Sequence, residues 1–258
     1  MVRTFEPIIE VIEEDYEIPH LGARRKITAL LPHDYHFSNK RYPVLYLQDG
    51  QNLFNPYAPY GDWAIDKSMG RLAEIGRGDL IIIAIDHGER ERIIEYLPYY
   101  HPDFGHGKGM AYIQFMFEKL IPYVNDKYRT LTDYNHTGIG GSSMGGLISL
   151  YGGLTYPHIF GRLMIFSPSL WVSNNIFAAA RRFRVLEATR LYIYAGAKES
   201  HYHLPNIKRL EAILNSKTHS STFIDFELSV NEDGTHSELF WGQEFPKAVR
   251  WLFHNEKT

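Results

Sequence analysis

Two short runs of almost continuous apolar residues constrain the fold of this 258-residue chain more than any other feature. One run covers residues 42–47 and the other covers residues 80–85. A strand that is apolar on both sides must be covered on both faces, which is typical of a parallel sheet between two layers of helices. Residues 63–75, which lie between the two runs, have the apolar spacing of a helix and complete a strand–helix–strand unit.

The rest of the chain extends this α/β pattern without a repeat or an obvious linker. Residues 7–18 and 25–31 alternate apolar and polar positions, which predicts two paired strands joined by a turn at Leu21-Gly22. The other predicted elements are strands at residues 162–167, 190–195 and 222–230 and helices at residues 109–127 and 238–253. We therefore predict one domain over residues 1–258, with a mainly parallel central sheet, an antiparallel N-terminal edge and helices on both faces.

Composition excludes several classes of protein. The chain is 44% hydrophobic, which provides a sizeable core and argues against intrinsic disorder. Its net charge of −3 gives no electrostatic basis for binding nucleic acid or an anionic membrane. It has no cysteine, hence no disulfide and no thiolate chemistry. We find no signal pattern and no apolar run of about 18 residues, so we expect a cytoplasmic protein with no membrane partner.

The segment Gly141-Ser142-Ser143-Met144-Gly145 fits the Gly-x-Ser-x-Gly nucleophile elbow. It lies between a probable short strand and a helical pattern, and its two glycines leave room for a tight turn and a close backbone approach. The segment predicts that Ser143 is a nucleophile. A glycine-rich turn that only joins two core elements remains an alternative. A dinucleotide-binding fingerprint is disfavoured because its third glycine would fall at Ser143, and a phosphate-binding loop would need Gly-Lys-Ser/Thr, which is absent.

A serine hydroxyl needs a general base, and the base needs an acid that orients it. In an α/β hydrolase the chain order is serine, acid, histidine, so the base must follow Ser143. His236 ends the turn-rich loop at residues 231–236, between the last predicted strand and the last helix. Ligands bind at the carboxyl ends of strands in such sheets, which favours His236 as the base over an ordinary surface histidine.

The orienting acid is predicted to follow the preceding strand. Leu191-Tyr192-Ile193-Tyr194 ends at a loop that contains Glu199. The alternatives are that Glu199 is a surface residue paired with Lys198, or that Asp225 or Glu227 is the acid. Glu199 could also join His201 and His203 in a metal site, but no further ligand is nearby in the sequence. We predict no metal and no organic cofactor.

The charge that develops on the carbonyl oxygen during ester cleavage must be met by backbone donors. The expected donors are the amide of Met144, which follows the nucleophile, and the amide of Gln51 in the loop after the strand at 43–47. Aromatic residues in loops near the crevice predict substrate contacts, although each ring could equally pack its own loop. The selected candidates are Trp63, Tyr100 and Trp171. Arg92 is expected to be a solvated arginine rather than a ligand for a substrate carboxylate.

The chain resembles an esterase family of the α/β-hydrolase superfamily. That family includes enterochelin esterases, feruloyl and acetyl xylan esterases, S-formylglutathione hydrolase and the antigen 85 mycolyltransferases. The resemblance is carried by residues 42–54, Asp62-Trp63-x-Ile65-Asp66, Gly107-Lys108-Gly109 with the following helix, residues 140–146 and Gly234-x-His236. It implies the α/β-hydrolase fold, Ser143 as nucleophile, His236 as base, Glu199 as acid, and the Gln51 and Met144 amides as oxyanion donors.

These features together predict a serine carboxylesterase that acts on a small acyl, aromatic or glycosidic ester. Acyl transfer by the same residues is an alternative, as is a non-catalytic binding module on a hydrolase scaffold. The absence of cysteine and of a leader disfavours a direct role on extracellular polysaccharide. S-formylglutathione hydrolase is disfavoured because it usually carries an aspartate where this chain has Glu199.

Overall fold

A computed structural model of the chain describes residues 5–184, 188–218 and 224–254. Its strands form a single sheet in the order β1-β2-β4-β3-β5-β6-β7-β8. The strands are β1 (Ile8–Ile18), β2 (Ala23–Leu31), β3 (Val44–Gln48), β4 (Ile81–Ile85), β5 (Thr137–Ser142), β6 (Arg162–Phe166), β7 (Thr189–Gly196) and β8 (Ile224–Asn231).

The sheet is mixed, and its two directions follow from the length of the connections. β1 and β2 are antiparallel and are joined by a tight turn at Pro19–Gly22, while β2 also runs antiparallel to β4. The remaining pairs, from β4 through β3 to β8, are parallel, because a helix-containing crossover separates consecutive strands. The predicted fold class, with its antiparallel N-terminal edge, is confirmed.

Helices cover both faces of the sheet. The helices are α1 (Ile65–Glu74), α2 (Arg92–Tyr96), α3 (Gly109–Phe115), α4 (Ile121–Lys127), α5 (Met144–Thr155), α6 (Asn175–Arg182), α7 (His203–Thr218) and α8 (Glu238–His254). A π-helical turn at Met116–Leu120 joins α3 to α4, so the helix predicted at residues 109–127 is confirmed as one helical stretch. In the described ranges, no helix is both long enough and apolar enough to cross a bilayer.

Alternation along the buried strands divides the core into two layers. Ile81, Ile83 and Ile85 of β4 face the layer that contains α2 to α7, whereas Ile82 and Ala84 face the layer that contains α1 and α8. The period of two in a strand sends successive side chains to opposite faces. This is why the central strands are apolar throughout, and why both helix layers are needed to exclude water from them.

The parallel strands deliver chemically active side chains to one edge of the sheet. The loops after β5, β6, β7 and β8 carry Ser143, Ser167, Glu199 and His236 respectively. These four loops leave the carboxyl ends of four adjacent parallel strands, which is where open α/β sheets form their ligand crevice. The predicted strand at residues 222–230 is observed from Ile224, and its first two residues lie outside the described residues.

Candidate active site

Ser143 occupies a strained backbone position between β5 and α5. Its φ of 57° and ψ of −122° lie in a region that serine rarely adopts. The backbone is fixed there by hydrogen bonds on both sides, since Ser143 N donates to Phe166 O at 3.0 Å and Ser143 O accepts from Ser169 N at 3.0 Å. The turn therefore has the strand-to-helix geometry expected of a nucleophile elbow.

The two glycines of this turn are required by close packing. A Cβ on Gly145 would lie 2.7 Å from Asp49 Oδ2, and a Cβ on Gly141 would lie 2.9 Å from the carbonyl carbon of Gly145. Neither distance is compatible with a real methyl group. The small residues at both ends of the motif thus allow α5 to approach β5 and the loop after β3.

The structure brings Glu199 and His236 together. His236 Nδ1 lies 2.7 Å from Glu199 Oε2. Only 3% of the Glu199 side chain is exposed, compared with 43% of the His236 side chain. An ionised carboxylate only accepts hydrogen bonds, so this contact places the proton of a neutral imidazole on Nδ1 and leaves Nε2 able to accept a proton.

The second oxygen of Glu199 is also fully engaged. Glu199 Oε1 accepts from Ser167 Oγ at 2.6 Å and from Gly196 N at 2.8 Å. Burial tends to raise the pKa of this carboxyl, but the hydrogen bonds from His236 and Ser167 outweigh it, and the pKa is lowered. Glu199 is therefore ionised at neutral pH although its side chain is almost entirely buried.

Ser143 and His236 face the same cleft without a hydrogen bond between them. Ser143 Oγ instead lies 3.4 Å from Ser169 Oγ. Ser143 and His236 both line a larger lobe of about 650 Å³ and a smaller lobe of about 340 Å³. A serine–histidine hydrogen bond of this kind is often long in a free enzyme and tightens when substrate binds.

The two predicted oxyanion donors both lie at the start of helical turns. Met144 is the first residue of α5, where a backbone N–H has no partner within the helix. Gln51 lies in a single 3₁₀ turn, Gly50–Asn52, which follows Asp49 in the left-handed region at a φ of 61°. In the described residues, neither amide donates to another protein group. The larger lobe is lined by Asp49 and Asn52, on either side of Gln51, rather than by Gln51 itself.

The Gln51 side chain connects two loops at the edge of the cleft. Gln51 Oε1 accepts from His87 N at 2.9 Å, and Gln51 Nε2 donates to His87 O at 3.4 Å. This pair of contacts joins the loop after β3 to the loop after β4. The position of the Gln51 backbone is thereby fixed by its own side chain.

The three aromatic candidates have different environments. Trp63 is only 3% exposed and stacks on Phe166 at 5.5 Å, so the expected substrate contact is corrected: this ring packs in the core. Tyr100 is 59% exposed and packs beside His106, and it lines neither lobe. Trp171 is 49% exposed and lines the smaller lobe, and its contact with substrate stays a prediction.

Arg92 differs from its expected solvated state. Its guanidinium donates to both oxygens of Asp49, from Nε at 2.6 Å and from the Nη2 nitrogen at 2.8 Å. Only 22% of the Arg92 side chain is exposed. Burial opposes the charge, but the adjacent Asp49 carboxylate raises the pKa of Arg92 overall. The expectation failed because the partner lies 43 residues away in sequence and becomes a neighbour only in the folded sheet.

Four further residues at the site were not assigned a part in catalysis from the sequence, although His203 was considered for a metal site. Ser167, Ser169, Trp241 and His203 all line the cleft, and each touches a predicted catalytic residue. The one available signal for Ser167 was its place at the end of the predicted strand at residues 162–167, and it directly follows the observed strand β6. Within the ranges that the structure describes, no group of three or more His, Cys, Asp or Glu side chains is arranged to hold a metal.

The strand order and the elbow at Ser143 define an α/β hydrolase fold. Residues 18–252 match the family described as "Putative esterase", and the chain therefore belongs to this esterase family of carboxylic ester hydrolases. The family resemblance inferred from the sequence motifs is confirmed.

Several known proteins are similar to this chain in sequence or in fold. The Bacillus subtilis protein named "Uncharacterized protein YbbA" is 26% identical over 257 residues, covering 93% of this chain and 96% of the relative. An IroE-like serine hydrolase from Shewanella oneidensis has a TM-score of 0.76 at 20% identity, covering 97% of this chain and 81% of that structure. A ferulic acid esterase has a TM-score of 0.70 at 20% identity, covering 97% of this chain and 99% of that structure.

Proposed function

We propose that this protein is a serine carboxylesterase that uses Ser143, His236 and Glu199. The observation that carries the proposal is the 2.7 Å contact between His236 Nδ1 and the buried Glu199 carboxylate, in a cleft that is also lined by the elbow serine. A base oriented by a buried acid beside a serine on a strained turn is the arrangement that activates a hydroxyl for acyl transfer.

In the first half of the reaction, Ser143 Oγ attacks the ester carbonyl carbon while its proton moves to His236 Nε2. The carbonyl oxygen becomes an oxyanion, for which the Met144 and Gln51 amides are the proposed donors. The bond to the alcohol oxygen then breaks, and the alcohol leaves with the proton from His236. Glu199 stabilises the charged ring during this step because it is already ionised.

In the second half, water attacks the acyl group bound to Ser143. His236 Nε2 takes a proton from the water and returns it to Ser143 Oγ as the bond between enzyme and acyl group breaks. The products are a carboxylic acid, an alcohol and free enzyme. No group other than the proposed protein residues and water takes part in the proton balance.

The two lobes of the cleft support a substrate with two unlike parts. Charged and polar side chains such as Asp49, His87 and Arg92 line the larger lobe. The smaller lobe also has charged and hydroxyl groups, but Trp171, Tyr202 and Met144 give it an apolar and aromatic surface that an apolar or aromatic group could contact. We propose a small-molecule ester with a small acyl, aromatic or glycosidic part, and the similarity in fold to a ferulic acid esterase is consistent with an aromatic group.

Two other functions fit the same scaffold. An acyltransferase would carry out the first half-reaction in the same way and give the acyl group to an alcohol instead of water. Adding an alcohol acceptor and measuring the ratio of ester to acid products separates these two functions. A binding module would leave the paired Glu199 and His236 without a chemical role.

The decisive test compares the native protein with Ser143→Ala on p-nitrophenyl acetate, p-nitrophenyl butyrate and methyl ferulate. We expect kcat to fall by roughly 10⁶-fold if the three residues act as a unit. A fluorophosphonate probe should also add covalently to the peptide that contains Ser143, as measured by mass spectrometry.

A matched control is Ser149→Ala, which removes a buried hydroxyl of α5 that has no hydrogen-bond partner among the described residues. It should hydrolyse the esters and bind the probe like the native protein. Equal hydrolysis by the native protein and Ser143→Ala, together with no labelling of Ser143, would show that the proposed mechanism is wrong.

A further inference from the structure

A serine and a tryptophan lie behind the Glu199–His236 pair. Ser167 Oγ accepts a hydrogen bond from Trp241 Nε1 at 2.9 Å and lies 2.6 Å from Glu199 Oε1. An indole N–H can only donate and an ionised carboxylate can only accept, so the direction of both hydrogen bonds is fixed. The indole occupies a lone pair of the serine oxygen, and the serine proton points to the carboxylate.

The same indole also contacts the proposed base. The rings of Trp241 and His236 meet edge to face, with centroids 4.9 Å apart and an interplanar angle of 86°. Trp241 is only 4% exposed and packs against Trp63, with ring centroids 6.0 Å apart. A rigid, buried ring thus contacts His236 directly and Glu199 through one hydroxyl.

The backbone of Ser167 has a strained conformation that glycine adopts more easily than serine. Its φ of 42° lies in the left-handed region that favours glycine. The position is held by a hydrogen bond from Ser167 N to Tyr194 O at 2.8 Å. Glycine would fit this backbone with less strain but would lack the group that donates to Glu199.

We propose that Ser167 and Trp241 are positioning residues that together set the orientation of Glu199 and His236. The inference rests on the proposed serine mechanism. Trp241 orients the Ser167 hydroxyl, the hydroxyl fixes one oxygen of Glu199, and the other oxygen fixes the imidazole. The Trp241 ring limits the remaining rotation of His236. Neither residue touches the reacting atoms of the ester.

Other ionisable groups also face the pair, and none of them is substituted in the Ser167 or Trp241 variants. His203 on α7 lies 3.4 Å from Glu199 Oε2, Tyr194 on β7 interacts electrostatically with Glu199, and Glu238 on α8 interacts electrostatically with His236. A change in the pH profile of a variant is therefore attributable to the altered hydrogen bond.

The test uses Ser167→Gly, which suits the left-handed backbone, and Trp241→Phe, which keeps a ring against His236 but removes the N–H. We expect kcat to fall by about tenfold to a hundredfold in each, with a much smaller change in KM, because misplacement of a catalytic group slows the chemical step.

Loss of the Ser167 hydrogen bond makes Glu199 a stronger base, so the acid limb of kcat/KM should move to higher pH in Ser167→Gly. Trp241→Phe should show a smaller shift in the same direction.

Two buried positions provide matched controls. Ser149→Ala removes a buried hydroxyl remote from Glu199, and Trp251→Phe changes another buried tryptophan of α8. Both should keep the native kcat and the native acid limb. Thermal unfolding of all four variants separates loss of fold from loss of positioning. The inference would be overturned if Ser167→Gly and Trp241→Phe both kept the native kcat and the native acid limb. If Ser143→Ala is inactive in the same experiment, the proposed function stays intact.

A second readout does not depend on turnover. The proton between His236 Nδ1 and Glu199 should give a far-downfield ¹H NMR signal that is absent in His236→Gln. We expect this signal to move in Ser167→Gly and in Trp241→Phe and to remain unchanged in the two controls. An unmoved signal in both test variants would also overturn the inference. If Ser143→Ala is as active as the native protein, the proposed function and the inference that rests on it both fail.

Discussion

Asp86 is a partly buried carboxylate in the loop after β4 that the proposed reaction does not use. It packs so closely on the loop after β3 that a Cβ on Gly50 would lie 2.6 Å from Asp86 Oδ1. Burial raises the pKa of Asp86 to about 6, and the neighbouring Glu14 and Asp49 carboxylates act in the same direction, although Lys26 and Arg25 partly oppose it. Ionised Asp86 therefore destabilises the folded state at neutral pH.

Replacing Asp86 with asparagine should stabilise the protein in a pH-dependent way. The folded state binds a proton on Asp86 more tightly than the unfolded state, so the native protein loses stability as pH rises from about 4 to about 6. Asp86→Asn should therefore have a higher Tm than the native protein at pH 8, and the difference should shrink towards pH 4. Differential scanning fluorimetry across this range measures it. The exposed Asp126→Asn is the control, and an equal gain in that variant would contradict the explanation.

Residues of the site differ in how far the sequence could predict them. Ser143 is marked by a local motif, and His236 and Glu199 are marked by their places after strands. Trp241 carries no such mark, Ser167 is marked only by its place at a strand end, and His203 was weighed only as part of an alternative metal site, because the roles of all three depend on distances between elements far apart in the chain. Trp63 was misassigned for the related reason that a loop tryptophan can point to the core or to the cleft, and only packing decides.

Helix α8 is positioned by a close backbone contact with the segment that precedes α1. A Cβ on Gly242 would lie 2.4 Å from Trp63 O, so the helix can approach this carbonyl only with glycine there. The adjacent residue in α8 is Trp241, which contacts His236. The close packing of α8 on the segment before α1 therefore helps to set the position of Trp241 beside His236.

Gly242→Ala should force α8 away from Trp63. We expect a loss of about 1–3 kcal/mol in the free energy of unfolding, as for other overpacked sites, and a lower kcat because Trp241 moves with the helix. Urea unfolding and ester hydrolysis measure the two effects. Gly70→Ala in α1 is the matched control, because its Cβ would meet its nearest neighbour, Phe5 O, at an ordinary 3.6 Å. Similar losses in both variants would argue against a specific role for the α8 contact.

Some helices and strands could be predicted from the sequence and others could not. The buried strands and the stretch at 109–127 have strong periodicity, and their predicted bounds agree with the structure to within a few residues. The predictions did not include α2, α6 or α7. α2 has only five residues, which is too short for a clear helical pattern. α7 begins His203-Leu204-Pro205, which gives no clear signal for the start of a helix. Their formation depends on packing against the sheet more than on local sequence.

Acid should lower the stability of the whole molecule partly through His203. This residue is buried, and burial is the main cause that lowers its pKa, while the Glu199 carboxylate opposes the shift and His236 adds to it. The unfolded chain binds a proton on His203 near pH 6.5, but the folded protein resists it. The free energy of unfolding therefore falls as pH decreases below about 6.5.

The variant His203→Leu should remove that part of the pH dependence. We expect the difference in unfolding free energy between pH 7.5 and pH 5.5 to be smaller in the variant than in the native protein. Urea unfolding at both pH values measures it. His87, whose pKa is also lowered by burial, is retained in both proteins, so its contribution cancels. An unchanged difference would mean that His203 accepts a proton in the folded state as easily as in the unfolded chain.

At the scale of the whole chain, the described residues share one sheet, but a single domain over residues 1–258 stays a prediction, as does a cytoplasmic location. The α/β class and the antiparallel edge followed from periodicity, since apolar runs and alternation directly report which faces are covered. The order of the strands was not predictable in the same way. It depends on which crossovers pack well, and those contacts join residues distant in sequence.

Four of the five non-glycine residues with positive φ in the described ranges lie where the chemistry is proposed to occur, and the fifth, Ala64, precedes α1. Asp49, Glu89 and Ser143 line the larger lobe, and Ser167 lines the smaller one, all at positive φ without being glycine. Such backbones raise the energy of the folded state, and the surrounding contacts must compensate. Random screening for heat resistance should therefore repeatedly select glycine at these positions except Asp49, where glycine would remove the carboxylate that pairs with Arg92. At Ser143 and Ser167, the more durable enzymes obtained in this way would turn over substrate more slowly.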